Sequence, residues 1–195
     1  MPLPPPPPGP PLVTVMGVSG SGKTTVGAAL AQRLGVPFAD ADDFHPPANV
    51  AKMSAGVPLD DLDRLPWLHA LGSWQAKHAP TGAVVSCSAL RRWYREILRE
   101  AAPGQVFVHL DGRPDVVARR VAGRPGHFMP ASLVDSQFAT LEPLAPDEAG
   151  FTLDLDQSVD DLVVQAVARL AHRTDPGTPP HPTRSTGSVP AGKDA

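Results

Sequence analysis

An open α/β fold, a five-stranded parallel sheet with helices on both faces, is what this sequence predicts, and three observations carry the prediction. Short apolar runs alternate with helical patterns along residues 12–172. Strand-then-helix repetition of this kind builds a parallel sheet, because each crossover lies on a face of the sheet. A glycine-rich pattern, "GVSGSGKT" (17–24), follows the first apolar run directly. The prolines are unevenly spread and crowd the two ends: of 25, eight fall in residues 2–11 and five in 173–195.

The elements follow in order. "LVTVM" (12–16) reads as a buried strand that stops at Gly17. From Lys23 to Leu34, Val26, Ala29, Leu30 and Leu34 recur at helical spacing. "VPFAD" (36–40) reads as a short second strand. "PANVAKMSAG" suits a helix with Pro47 at its start and Gly56 past its end. "DRLPWLHALGSWQAKH" suits another, entered near Pro66, with Trp67 and Trp74 on one inward face. "GAVVSCS" (82–88) is the third strand, and "LRRWYREILREA" the helix after it, with Trp93 and Tyr94 as packing residues. "QVFVHLD" (105–111) is the fourth strand, followed by the helix "PDVVARRVAG". "GFTLDLD" (150–156) is the fifth, before a closing helix opened by Ser158. The proline-rich ends, residues 1–11 and 173–195, lack the apolar content to pack and are expected as disordered tails around a domain at 12–172.

Composition narrows the function classes. The net charge of -3 is mixed along the chain, so no basic field awaits a nucleic-acid backbone. No apolar stretch approaches a membrane span, and the N-terminus has neither the basic start nor the apolar centre of a secretion signal. The single cysteine, Cys87, sits in an apolar run and reads as a buried structural thiol. A cytoplasmic protein of small molecules is the expectation.

Ligands of open parallel sheets bind at the carboxyl ends of the strands, which directs attention to positions 17–24, 40–45, 86–91 and 111–113. The first of these carries the full phosphate-loop pattern in its required setting, after a strand and opening a helix. Gly17, Gly20 and Gly22 let the backbone curl until its N–H groups point at phosphate oxygens. The helix start adds its positive dipole end, Lys23 a cation, and Thr24 a hydroxyl suited to Mg²⁺. The nucleotide is therefore expected on Gly17, Val18, Ser19, Gly20, Ser21, Gly22, Lys23, Thr24 and Thr25, as ATP or GTP with Mg²⁺. A dinucleotide fingerprint is disfavoured by the glycine spacing and by Lys23, which is no part of that motif.

The second region reads "DADDFHPP" (40–47). A kinase needs a carboxylate near Mg²⁺ and a group that accepts the attacking hydroxyl's proton. Asp40 and Asp42, two apart on an extended segment, point the same way; Asp43 points opposite, solvated or capping. His45 is either a turn histidine or part of the site, and no other ligands complete a zinc cage around it. Lys52 stands equally as a surface lysine.

"GVSGSGKT", "DADDFHPPANVAKMSAGVPLDDLDRLPWL", "CSALRRWYREILRE", "RPGHFMP" and "SQFATLEPL", in this order, resemble the gluconokinases of the thermoresistant, phosphate-loop type, relatives of shikimate kinase. The resemblance spans about 13–170 and implies a phosphate-loop nucleoside-triphosphate kinase fold. It implies transfer of the ATP γ-phosphate to the 6-hydroxyl of D-gluconate, and a homodimer, since members often pair. It places Asp40 and Asp42 at the family's acidic pair, with Asp42 as base and Asp40 beside Mg²⁺ with Thr24, or the reverse. His45, Lys52 and Arg64 fall at substrate-side positions, with Arg91 and His127 as further candidate contacts, while Ser88 either caps the following helix or touches ligand. Which of Lys52, Arg64 and Arg91 meets the gluconate carboxylate stays open. "RPGHFMP" corresponds to a mobile lid in which Arg124 would stabilise the transferring group. Two departures stand out: Pro125 where lysine commonly follows that arginine, and Arg91 where lysine is expected. Kinases of shikimate, another sugar acid or a nucleotide, and a nucleotide-binding regulator without turnover, are the rival readings.

Overall fold

The computed structural model describes residues 10–122 and 131–173. Five strands, β1 (Leu12–Met16), β2 (Phe38–Asp40), β3 (Ala83–Ser86), β4 (Val106–Asp111) and β5 (Gly150–Asp154), pair in parallel in the order β2-β3-β1-β4-β5. The helices are α1 (Lys23–Leu34), α2 (Pro47–Ser54), α3 (Asp61–Lys77), α4 (Arg92–Ala101), α5 (Pro114–Ala122), α6 (Ala131–Thr140) and α7 (Val159–Arg173). A 3-10 turn occupies Ala41–Phe44. Register aligns Asp40 with Ser86, Val15 with Ser86 and Met16 with His109. The carboxyl ends of β1, β2 and β3 thus finish on one edge of the sheet, and that edge carries the site.

Strand periodicity divides the core. Val13 and Val15 of β1, Val84 of β3, and Val108 and Leu110 of β4 face α1, α5 and α7, where Leu30, Val117, Leu162 and Ala166 meet them. Met16, Val85 and Phe107, on the alternate positions, face α3 and α4 through Trp67, Leu68, Leu71, Tyr94 and Leu98. Both faces being covered explains why the strands read as continuous apolar runs. Thr14, buried on the second face, accepts a hydrogen bond from Gln75 Nε2 of α3 at 3.0 Å.

Several boundaries differ from the sequence reading for identifiable reasons. Helix α3 starts at Asp61 rather than near Pro66, because Asp60 and Asp63 form a reciprocal capping box. Pro66 then lies inside the helix near its start, where the lost N–H costs one bond. Helix α6 had no counterpart in the sequence reading. Pro11, expected in the tail, accepts from Ala83 N at 3.2 Å, and a Cβ on Gly82 would meet Pro10 Cβ at 2.7 Å. The opening of α7 is as expected: Asp161 N donates to Ser158 Oγ at 3.1 Å. The remaining tail residues, and Arg124 and His127 of the expected lid, lie outside the described residues. No helix among the described residues is long and apolar enough to cross a membrane.

Candidate active site

The phosphate loop follows from β1. The chain leaves the strand at Gly17 with φ 143°, and a Cβ there would stand 2.7 Å from the Leu110 carbonyl oxygen. Only glycine permits both the conformation and that approach. Gly22, at φ 94°, precedes α1 without a side-chain cap. The first N–H groups of α1 and its positive end therefore open onto the loop, which makes an anion site. Lys23 Nζ reaches back across the loop to donate to Val18 O at 2.9 Å. Val18 and Ser21 are buried beneath the loop, while Thr24 and Thr25 are exposed on α1.

The loop is tied to two other elements. Thr24 Oγ1 donates to Asp40 Oδ2 at 2.8 Å, joining α1 to the end of β2. Ser19 N donates to Gln137 Oε1 at 2.6 Å, and Gln137 Nε2 donates to Ser19 Oγ at 3.1 Å. Gln137 lies on α6, so the amide side chain clamps both polar groups of one loop residue.

The acidic pair is not on an extended segment. Asp40 ends β2, and its Oδ1 accepts from Asp42 N at 3.1 Å, capping the 3-10 turn Ala41–Phe44. The cap curls the chain, so the shared direction expected from strand alternation is replaced by a turn. The two carboxylates still share one neighbourhood. Water reaches 89% of the Asp42 side chain, so the desolvation acting on it is partial. That desolvation, then the charge of Asp40, raises its pKa from 3.8, against the opposing pull of His45 and Lys23.

His45 is almost enclosed. Its ring stacks on Trp67 at 4.6 Å with planes 11° apart, and Trp67 Nε1 donates to Ala41 O at 2.6 Å, pinning the turn. Buried Asn49 donates to Asp63 O at 2.8 Å and lies 3.4 Å from His45 Nδ1. With Nδ1 as acceptor, the proton sits on Nε2, which lies 4.0 Å from Asp42 Oδ1. Desolvation, reinforced by Arg64 and opposed by Asp42, lowers the His45 pKa and favours the neutral ring.

The three candidate cations separate. Lys52 Nζ donates to both oxygens of Asp63 at 2.7 Å and so is engaged with the capping box of α3. Arg64 and Arg91 instead gather around Asp61. Arg91 Nη1 donates to Asp61 Oδ2 at 3.0 Å, and Arg64 Nη1 lies 3.8 Å from Asp61 Oδ1. Tyr94, the expected packing residue, also donates its hydroxyl to Asp61 Oδ1 at 2.7 Å.

Ser88 and Arg91 stand on a loop held from below. Ser88 O accepts from Gly17 N at 3.4 Å. Ala89 has φ 44°, a strained conformation for a residue with a Cβ. Arg95, fully buried, donates to Ala89 O at 3.0 Å and makes a bidentate pair with Glu148 at 2.6 and 2.8 Å. Burial alone would push Glu148 up; the bonds from Arg95 and from Ala145 N prevail and hold its pKa below 4.5. Cys87, at the end of the same strand, is buried and its thiol is pushed up to about 12.

Behind the loop opens a cleft of about 370 Å³ lined by Gly22, Thr25, Arg120, Gln157 and Ser158. Arg120 Nη2 donates to Leu155 O at 2.6 Å, which fixes it at the rim. The sequence reading missed Arg120 and Gln157. Gln157 follows β5, whose carboxyl end the same ligand rule covers, and Arg120 lies on α5 after β4.

A phosphate-accepting loop facing a carboxylate pair, on this sheet order, defines a phosphate-loop kinase of small molecules. The shikimate kinase family model matches residues 19–165. A gluconokinase from Gluconobacter oxydans is 53% identical over 141 residues, covering 71% of this chain and 79% of the relative. A probable gluconokinase from Xenopus tropicalis is 42% identical, covering 78% and 89%. Among solved structures, a gluconokinase from Sinorhizobium meliloti superposes with a TM-score of 0.78 at 48% identity, covering 85% of this chain and 94% of that one. The chain belongs to the gluconokinase family, within the wider shikimate kinase group.

Proposed function

We propose that this chain phosphorylates D-gluconate on its 6-hydroxyl, with ATP as donor and Mg²⁺ as companion ion, giving 6-phospho-D-gluconate and ADP. The observation that carries the reading is the Thr24–Asp40 hydrogen bond of 2.8 Å. It supports a single reaction centre by placing the phosphate loop and the acidic turn side by side.

The triphosphate lies on the N–H groups of the loop, and the nucleoside extends into the cleft between Arg120 and Gln157. Thr24 and Asp40 offer a hydroxyl and a carboxylate oxygen, a hard donor pair that fits Mg²⁺ with its remaining positions left to water and phosphate. When bound, the ion neutralises charge on the transferring phosphoryl group. Asp42 accepts the proton of the acceptor hydroxyl as its oxygen bonds to the γ-phosphorus, and the bond to the β–γ bridging oxygen breaks. Its pKa, raised by desolvation and by the charge of Asp40, strengthens it as a base. His45, neutral and clamped by Trp67 and Asn49, presents Nε2–H toward Asp42 and the acceptor. Lys23 stabilises the developing negative charge on the phosphates, and Arg124 supplies a second cation from the lid.

Gluconate needs a cation at its carboxylate and hydrogen-bonding groups along its length. Arg64 and Arg91 are the pair for that end, since two guanidinium groups share the single carboxylate of Asp61 while Lys52 meets Asp63 one to one. Ser88 adds a polar group there, and His127 is the further contact that the family resemblance implies. The same reading takes the enzyme as cytosolic and homodimeric. The deciding experiment is ADP release with gluconate, shikimate, glucose and nucleoside monophosphates as acceptors, with phosphorus–proton correlation locating the phosphate at C6. ATP turnover indifferent to gluconate would overturn it.

A further inference from the structure

We propose that Asp61 sets the charge of acceptor that the site takes, restricting it to singly charged sugar acids by neutralising one of two neighbouring guanidinium groups. The inference rests on the reading of Arg64 and Arg91 as the acceptor's anion site.

Asp61 occupies the first turn of α3, where an acidic residue ordinarily serves the helix end. That end is already served: Asp60 and Asp63 form the capping box. Asp61 turns to another task. Its Oδ1 accepts from Tyr94 OH at 2.7 Å and its Oδ2 from Arg91 Nη1 at 3.0 Å, so both oxygens are held by α4 and the residue that caps it. Tyr94, 4% exposed, is anchored in the core, which fixes the carboxylate in place. Arg64 completes the group, 3.8 Å from Asp61 Oδ1 and 5.8 Å above the Tyr94 ring.

The charge count follows from these contacts. Two guanidinium groups and one carboxylate leave a surplus of one positive charge. Lys52 adds nothing, because Asp63 holds it, and the enclosed His45 favours its neutral form. Arg64, Arg91 and Asp61 retain 32%, 40% and 45% of their side-chain exposure, so a solute reaches them. A monocarboxylate brings the cluster to neutrality. A dicarboxylate leaves one excess negative charge beside Asp61, and an uncharged polyol leaves the positive charge unanswered. Selection by an element that repels the wrong ligand is a common route to specificity.

The test uses the full chain and calorimetric binding of three probes of equal carbon number: D-gluconate, the dicarboxylate D-glucarate and the neutral D-sorbitol. In Asp61→Asn, the ratio of glucarate Kd to gluconate Kd is expected to fall about tenfold or more, and Asp61→Glu to restore the ratio of the parent chain. Arg91→Gln is expected to move selectivity the other way, lowering the sorbitol-to-gluconate ratio by a similar factor. A glucarate ratio within twofold of the parent in Asp61→Asn, whatever happens to kcat, overturns the proposal. If that variant fails to fold by circular dichroism, an unchanged sorbitol ratio in Arg91→Gln overturns it instead. A parent chain that phosphorylates gluconate while these ratios stay fixed refutes only the role of Asp61. A parent chain that neither binds nor phosphorylates gluconate refutes both readings.

Discussion

The phosphate loop and the side-chain cluster proposed to receive the acceptor are built on different principles. The phosphate loop is made from nine consecutive residues, 17–25, and its working groups are mostly main-chain N–H. The acceptor cluster draws on the end of β2, the start of α3 and the loop before α4, and its working groups are side chains paired across 30 or more positions, such as Arg91–Asp61 and Tyr94–Asp61. A backbone cradle tolerates changes among its side chains provided the glycines stay. A side-chain site is only as well placed as the partners that hold each group, so its sensitivity spreads to residues that touch no substrate.

The largest effect is expected where the backbone cradle relies on one side chain. Lys23→Ala should reduce kcat by about 10³-fold or more, measured by ADP release at saturating gluconate. Substantial residual turnover would show that the cradle alone carries the transfer. Next, Asp42→Asn should lower kcat by about 10²–10⁴-fold. Its melting temperature should hold or rise: a carboxylate whose folded pKa is raised stabilises the native state only below its unfolded pKa, and its charge opposes folding above. For the same reason the acid limb of kcat/KM should lie above pH 3.8, the ordinary position of an aspartate.

Glu148→Gln examines the support of the acceptor cluster. Leaving Arg95 buried without its counter-charge should cost about 3–5 kcal/mol in denaturant unfolding, far more than any exposed pair on this surface. In the parent chain the Glu148 contribution is present above pH 4.5 and fades as pH falls through its lowered folded value. Gln137→Leu, by contrast, removes the clamp on Ser19 and should raise KM for ATP by about 2–10-fold, the worth of one or two hydrogen bonds, while KM for gluconate stays put. The smallest change is expected from Lys52→Met: with Lys52 occupied by Asp63, KM for gluconate should move by less than about threefold. A larger rise would return Lys52 to the substrate.

Helix α6 illustrates a signal that was present but unread. Val134, Phe138 and Leu141 recur at helical spacing and pack on the α1–α7 face of the core, yet "SQFATLEPL" was weighed only as a motif. The 3-10 turn is a different case. "FADADDF" carries no periodicity that separates a continued strand from a capped turn; Asp40 caps the turn through Asp42 N, and Trp67 Nε1 pins it by reaching Ala41 O from 26 positions away.

What the sequence determined by itself had local causes: the order of the strands and of every described helix but α6, the glycine-dependent loop, the capping of α7, and the presence of an acidic pair after β2. These depend on φ, ψ and side-chain period within a few residues, and neighbours along the chain suffice to decide them. The tertiary structure alone decided the partners. It settled that Lys52 joins Asp63, that Arg64 and Arg91 meet over Asp61, that Arg95 and Glu148 brace the strained Ala89, and that Gln137 grips Ser19. Each of these contacts joins charges or amides whose separation is fixed by how whole helices pack on the sheet, a distance that no spacing in the chain encodes.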